Sequence, residues 1–187
     1  MTAFSRLRAI LLCILALAGS FLAIGPVFAQ PQSVGASSGL PLPRFVSVRS
    51  SPVNVRVGPG TRYEIAWVYV RPGIPVEITQ EFDTWRRIRD VDGAEGWLHQ
   101  NLLVGTRTAF VTPWAEQGQV ALRSRPDANA PVRAWLMPGL MVEVRRCTGT
   151  MCEVRFNHTG ESGRATQYSG FIEQDALWGV YVNEVFD

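Results

Sequence analysis

Two closely spaced cysteines, two histidines and an arginine-rich run are the parts of this chain whose types and spacing bear on chemistry. Cys147 and Cys152 flank Thr148-Gly149-Thr150-Met151, which reads as a hairpin turn. Across such a turn two thiols face each other, and in an oxidising compartment they close into a disulfide. The rival use is a metal site with His158, which would need a fourth ligand and matches no zinc spacing well. Thiol catalysis by Cys152 with His158 is a further alternative, and it requires a cysteine free of Cys147. His99 follows Trp97-Leu98 and reads as a surface or turn residue. Gly58-Pro59-Gly60 reads as a turn, and no Walker-type or dinucleotide-binding glycine pattern is present. The expectation is a protein with no catalytic constellation, no cofactor and no metal.

Aromatic residues are the stronger lead. Tyr63, Trp67, Tyr69, Trp85 and Trp97 all fall in one stretch of the chain. Trp67, Trp97 and, further on, Trp135 are expected in the core. Tyr63 and Trp85 sit beside turns and are candidates to face a ligand, since such rings combine a broad apolar face with a polar tip. In Arg86-Arg87-Ile88-Arg89 the alternation points Ile88 inward and puts Arg87 and Arg89 on the opposite face. There they form either a solvated strand face that discourages edge pairing or a clamp for carboxylates, which planar guanidinium groups grip in a bidentate way.

The elements that position these residues occur twice. Val53-Asn54-Val55-Arg56 returns as Val120-Ala121-Leu122-Arg123, and Pro72-Gly73-Ile74-Pro75-Val76-Glu77-Ile78 as Pro138-Gly139-Leu140-Met141-Val142-Glu143-Val144. Thr84-Trp85-Arg86-Arg87-Ile88-Arg89 is echoed by Thr150-Met151-Cys152-Glu153-Val154-Arg155. Gly96-Trp97-Leu98 is echoed by Gly170-Phe171-Ile172. The offset is 67, then 66, then 74 residues, so the second copy carries an eight-residue insertion before its Gly-Phe pair. Strands are predicted at 53–57, 65–70, 76–82, 85–91 and 96–98, with a helical turn over 99–104 and a closing strand over 107–112. In the second copy they fall at 120–123, 132–136, 142–147, 152–157 and 168–172, then a turn at 174–177 and a final strand at 179–183. Short strands at close intervals, without a long amphipathic helix, predict an all-β chain of two small antiparallel barrels. The divisions are 45–112 and 113–187, with a short connection at 112–118 that fixes their relative orientation.

Residues 1–29 read as a secretory signal peptide. Arg6 and Arg8 precede the apolar stretch 10–17, and Val27-Phe28-Ala29 supplies the small-residue cleavage signal. The apolar run, broken by Gly19-Ser20 and Gly25-Pro26, is short for a membrane span of about 20 residues. An uncleaved anchor is the alternative. The stretch 30–44, rich in Pro, Ser and Gly, is expected to be a flexible linker, although Pro41-Leu42-Pro43-Arg44 is also a candidate occupant of a groove. All 18 basic residues are arginine, and two of them precede residue 30, which leaves 16 against 16 acids. A balanced charge gives no field for nucleic acid or anionic lipid.

The run Val-Asn-Val-Arg-x-Gly-Pro-Gly-Thr, then Pro-Gly-x-Pro-Val-Glu-Ile, Trp-Arg-Arg-Ile-Arg and Gly-Trp-Leu-His-Gln, resembles bacterial SH3-like (SH3b) domains. It is similar to exported tandem SH3-like proteins of Gram-negative bacteria, from Phe45 to the C-terminus. The second copy departs from the pattern, with Ala121 for the Asn, Arg125 for the Gly and Met151 for the Trp, which puts a groove there in doubt. Its Thr-Gly-x-Met-Cys segment resembles a paired-cysteine variant of such domains. The resemblance implies a non-catalytic binding module, periplasmic or secreted, with peptidoglycan peptides as the favoured ligand class. Tyr63 and Trp85 would stack and Arg87 or Arg89 would pair with stem-peptide carboxylates. The alternative is a scaffold that holds an envelope enzyme or a Pro-rich protein partner. The insertion over 157–167, with Glu161 and Arg164, is a candidate contact loop.

Overall fold

The computed structural model describes residues 33–116, 118–160 and 163–187. The signal segment 1–29 and Glu161 of the insertion lie outside the described residues. The described chain begins with β1 (Ser33–Val34) and β2 (Pro41–Leu42), which form a hairpin. The first barrel follows: β3 (Arg44–Val48), β4 (Val53–Arg56), β5 (Ile65–Tyr69), β6 (Pro75–Phe82), β7 (Trp85–Arg89), β8 (Glu95–His99) and β9 (Leu103–Val104). The second comprises β10 (Thr108–Val111), β11 (Val120–Arg123), β12 (Val132–Leu136), β13 (Met141–Thr148), β14 (Met151–Thr159), β15 (Ala165–Glu173), β16 (Leu177–Trp178) and β17 (Val185–Phe186). A 3-10 turn precedes the short seventh strand of each barrel, at Gln100–Leu102 and Gln174–Ala176. Among the described residues no helix is long and apolar enough to cross a membrane.

The strand orders are the same. One sheet runs β5-β4-β8-β7-β6-β3-β9 and the other β12-β11-β15-β14-β13-β10-β16, with β17 added against β13. Even the irregularities repeat: the ladder shifts register between Ile78 and Gln80, and again between Val144 and Arg146. Each copy has its own core. Val48, Val53, Val55, Val76, Ile78, Ile88 and Leu98 fill the first; Ala109, Val111, Leu122, Val142, Val144, Val154 and Ile172 fill the second. Burying each aliphatic side chain contributes about 1.5–3 kcal/mol. Gly96 and Gly170 are fixed by close approach. A Cβ on Gly96 would stand 2.5 Å from the Val55 side chain, and one on Gly170 would stand 2.6 Å from the Arg123 carbonyl.

Three expectations are corrected. The strand at Thr108–Val111 does not close the first barrel. It pairs with β13 and β16 and so opens the second, as β3 opens the first by pairing with β6 and β9. The expected final strand at 179–183 is absent; β16 and β17 flank that stretch instead. The stretch expected as a flexible linker is ordered over 33–42, where Leu42 enters the first core.

The two barrels are held by specific contacts. The Tyr181 hydroxyl donates to Glu77 at 2.9 Å, and Ser47 bonds the Thr106 carbonyl and the Thr108 hydroxyl, each at 2.6 Å. Phe45 stands edge-on to Trp178 at 5.2 Å and lies 4.8 Å from the Tyr181 ring. Burial, with the hydrogen bond to Glu77 next in weight, raises the Tyr181 hydroxyl above the usual tyrosine range, so it stays a donor.

Candidate functional site

The 3-10 turn after β8 and the start of β4 leave a cleft of about 260 Å³ in the first barrel, lined by Asn54, Arg56, Thr61, Trp85, His99 and Leu102 together with Pro52 and Val53. Trp85 opens β7 opposite His99 in the ladder, and its ring meets the imidazole edge-on at 5.6 Å. The Asn101 backbone N–H donates to His99 Nδ1 at 3.3 Å, which makes His99 the cap of the turn. That bond leaves Nε2 as the protonated nitrogen of the neutral ring. Arg56 donates to the Tyr63 carbonyl at 2.6 Å, which ties the 57–64 loop to the cleft wall. One wall is therefore aromatic and the other polar, a composition that suits a ligand with a flat or apolar body and polar substituents.

The four residues singled out from the sequence are not brought together. Trp85 lines the cleft. Tyr63 does not: its ring packs within its own loop, where a Cβ on Gly58 would meet it at 2.5 Å, and the Arg62 guanidinium lies 5.2 Å above it. Arg87 and Arg89 do stand on the face opposite Ile88, but each already holds a carboxylate. Arg87 bonds Glu95 at 2.6 Å, and Arg89 bonds the buried Glu77 through Nε at 2.9 Å and through NH2. Sequence reasoning missed Arg56, Asn54 and His99 as cleft residues. The signal was the paired spacing of Trp85 and His99 about the β7–β8 turn.

Arg86, on the inward face with Ile88, is the buried arginine of the run. It gives one terminal nitrogen to Gln100 Oε1 and the other to both the Asp83 and Trp85 carbonyls, and its Nε lies 3.4 Å from Glu81. Glu81 also accepts from Arg44 at 2.8 Å, from the Ser38 hydroxyl, and from the Ser37 and Ser38 N–H groups of the β1–β2 hairpin. Burial pushes the Glu81 carboxyl up, but the bonds from Ser38, Arg44 and the two N–H groups outweigh it and hold it at about 2.

The second barrel lacks this cleft wall. Met151 stands where Trp85 stands and is buried, and the position of His99 is taken by Glu173. Cys147 and Cys152, paired in the ladder, form a buried disulfide, which removes both the metal reading and the free-thiol reading of Cys152. The aromatic residues of this barrel gather elsewhere. The insertion lengthens the β14–β15 hairpin, where Phe156 and Tyr168 stack at 5.5 Å beside His158. With Trp135 and Met137 they line an apolar cleft of about 290 Å³. Trp135 is 58% exposed, against the expectation of a core residue, because the 67-residue offset sets it opposite Ala121, as the exposed Val68 lies opposite Asn54. Trp67 and Trp97 are half-buried, and Trp97 faces out between the buried Gly96 and Leu98. A larger cleft of about 430 Å³ runs past Arg71, Met141 and Gln167, but its charged pair, Glu143 and Arg155, is closed on itself at 2.7 Å.

The family model described as bacterial SH3 domain matches twice, over residues 49–105 and 116–179. Among solved structures, the structure of NlpC1 from Trichomonas vaginalis aligns at 15% identity over 77% of this chain and 48% of that one, with a TM-score of 0.30. The structure of NlpC2 from Trichomonas vaginalis aligns at 13% identity over 73% of this chain and 48% of that one, with a TM-score of 0.29. The chain thus spans about half the length of each. No curated protein matches it. The repeated motifs, the shared strand order and the double match agree, and the chain belongs to the bacterial SH3 domain family, of which it carries two copies in tandem.

Proposed function

We propose that this protein is a non-catalytic binding module of the bacterial cell envelope, and that its first SH3 copy recognises peptidoglycan peptides. The observation that carries this reading is the Trp85–His99–Arg56 cleft, which has one aromatic wall and one polar wall. Trp85 supplies the stacking face. Arg56 uses one bond to hold the 57–64 loop, and its remaining donors are suited to a stem-peptide carboxylate. Arg87 and Arg89 serve instead as strand-face ion pairs. The disulfide is of the kind that persists outside the cytoplasm, which supports an exported, periplasmic or secreted protein.

Co-sedimentation with purified sacculi is the test. The full chain pellets with the sacculi, and Trp85→Ala, whose fold is checked by circular dichroism, moves to the supernatant. A wild-type protein that stays in the supernatant removes the cell-wall reading. The second reading, a scaffold for an envelope protein, is favoured by the exposed Trp135–Met137–Tyr168 cleft of the other copy. It predicts that Trp135→Ala abolishes capture of that protein and leaves sedimentation unchanged.

A further inference from the structure

The two barrels differ in what lies over the end formed by the 3-10 turn. In the second copy the chain after Gly179 folds back across it. Val180 enters the core, and Gln174 Nε2 donates to the carbonyls of Tyr181 at 2.6 Å and of Glu184 at 3.0 Å. Residues 181–184 form a turn closed by the Glu184 N–H to the Tyr181 carbonyl at 3.2 Å. The Glu184 carboxylate accepts from the Tyr181 N–H at 2.8 Å and from Arg107 at 2.7 Å. β17 then joins the edge of β13. Thus a peptide turn with a carboxylate at its fourth residue fills the end of this barrel.

Among the described residues, the first copy has the same groove without an equivalent occupant. After Gly105 the chain departs to β10, and a cleft of about 350 Å³ remains. Its floor includes Ile78 and Leu103, and its rim carries Arg44, Arg49, Arg86 and Gln100. Gln100 corresponds to Gln174 in its place in the 3-10 turn. Arg44 corresponds to Arg107, since it opens β3 opposite Ile78 as Arg107 bonds Val144 ahead of β10. Arg49, which bonds the Leu103 carbonyl at 3.1 Å, and Arg86 add charge that the second groove lacks. Glu81 meets only part of it, through Arg44 and Arg86. The β1–β2 hairpin, through Leu40, bounds the side on which β17 lies in the second copy.

We infer that the open groove of the first copy receives a carboxylate-bearing turn from a partner protein, held as the second copy holds its own residues 180–184. Gln100 takes the carbonyls of the turn through Nε2, and Arg49, whose bonds run to the Leu103 carbonyl, takes the carboxylate, while Arg44 stays on Glu81. The occupant is a protein loop because the one occupant on view presents two carbonyls three residues apart across a turn. The inference concerns a different groove from the Trp85 cleft and does not rest on the cell-wall reading.

The test is a titration of the isotopically labelled full chain with a synthetic peptide of residues 179–187, followed residue by residue by NMR. Shifts of the Arg49, Gln100 and Leu103 amides are expected. The peptide carrying Glu184→Gln binds about tenfold more weakly, the loss expected for one charge-assisted hydrogen bond. The exposed Arg49→Gln protein weakens the native peptide to a similar extent and keeps its fold. Three results overturn the inference: no shift at these residues, equal binding of the two peptides, or shifts at them from a soluble muropeptide but not from the peptide.

Discussion

At one register position the two copies solve the same problem with different chemistry. The ladder partners that flank the β6–β7 turn are Glu81 and Arg86, and those that flank the β13–β14 turn are Cys147 and Cys152. All four side chains are buried or nearly so, with the Glu81 side chain 1% exposed. Both pairs join the two strands beneath the turn, one by an ion pair and the other by a covalent bond. The ion pair does more than staple, because Glu81 also caps the Ser37–Ser38 turn of the terminal hairpin. A disulfide sulfur is at best a weak acceptor and cannot replace a carboxylate in this role. In the second copy, among the described residues, β17 takes that place and pairs beside Cys147 through backbone bonds. The choice of staple therefore decides what else the barrel end can hold.

The largest effect expected is from Glu81→Gln. Breaking a buried ion pair by removing one partner costs about 3–5 kcal/mol, and here Arg44 and Arg86 both lose their carboxylate. Native-state amide exchange should show β6 and β7 opening more readily while β13 and β14 keep their protection. Equal loss in both barrels would break the comparison. Next is Cys147→Ala with Cys152→Ala, which removes a short-loop crosslink worth about 2 kcal/mol by chain entropy. The loss should fall on the second barrel alone, and reductant should have no further effect on the double variant.

Acid separates the copies more gently. An unfolded Glu81 titrates near 4.5 and the folded one at about 2. Between these values the unfolded chain holds more protons, so this stabilisation is complete above about pH 4.5 and is lost as pH falls toward 2. Exchange protection in β6–β7 should decline over that window, and Glu81→Gln should remove the Glu81 share of the decline. The smallest effect is expected from Tyr181→Phe, which removes the hydrogen bond to Glu77. A loss of about 1–2 kcal/mol should appear as earlier separation of the two unfolding transitions in calorimetry, and an unchanged thermogram would remove the bond from the account of how the barrels are joined.

What the sequence disclosed follows from where its signals are local. β4, β5, β6 and β7 are legible because apolar alternation and the Pro72-Gly73 turn are written in adjacent residues. β10 is not legible as the opening strand of the second barrel because Ala109-Phe110-Val111 shares only its last residue with Val46-Ser47-Val48, and the offset there is 63 against 67 at the next strand. The 33–42 hairpin was hidden by its composition, since one core residue, Leu42, and two N–H groups on Glu81 suffice to dock it. Alternation correctly set Arg87 and Arg89 outward, but their partners Glu95 and Glu77 lie on neighbouring strands and needed the register. The same alternation pointed Arg86 inward. A buried arginine demands a carboxylate, and Glu81 stands across the turn from it.

The central claim is that recognition of the cell wall belongs to the first copy and runs through Trp85. The measurement that tests it most directly is an NMR titration of the full chain with a soluble muropeptide carrying its stem peptide. The account predicts shifts at Asn54, Arg56, Trp85 and His99, including the Trp85 indole N–H, with Met151 and Glu173 in the second copy unmoved. Shifts confined to the second copy, or none at any of these residues, would contradict it.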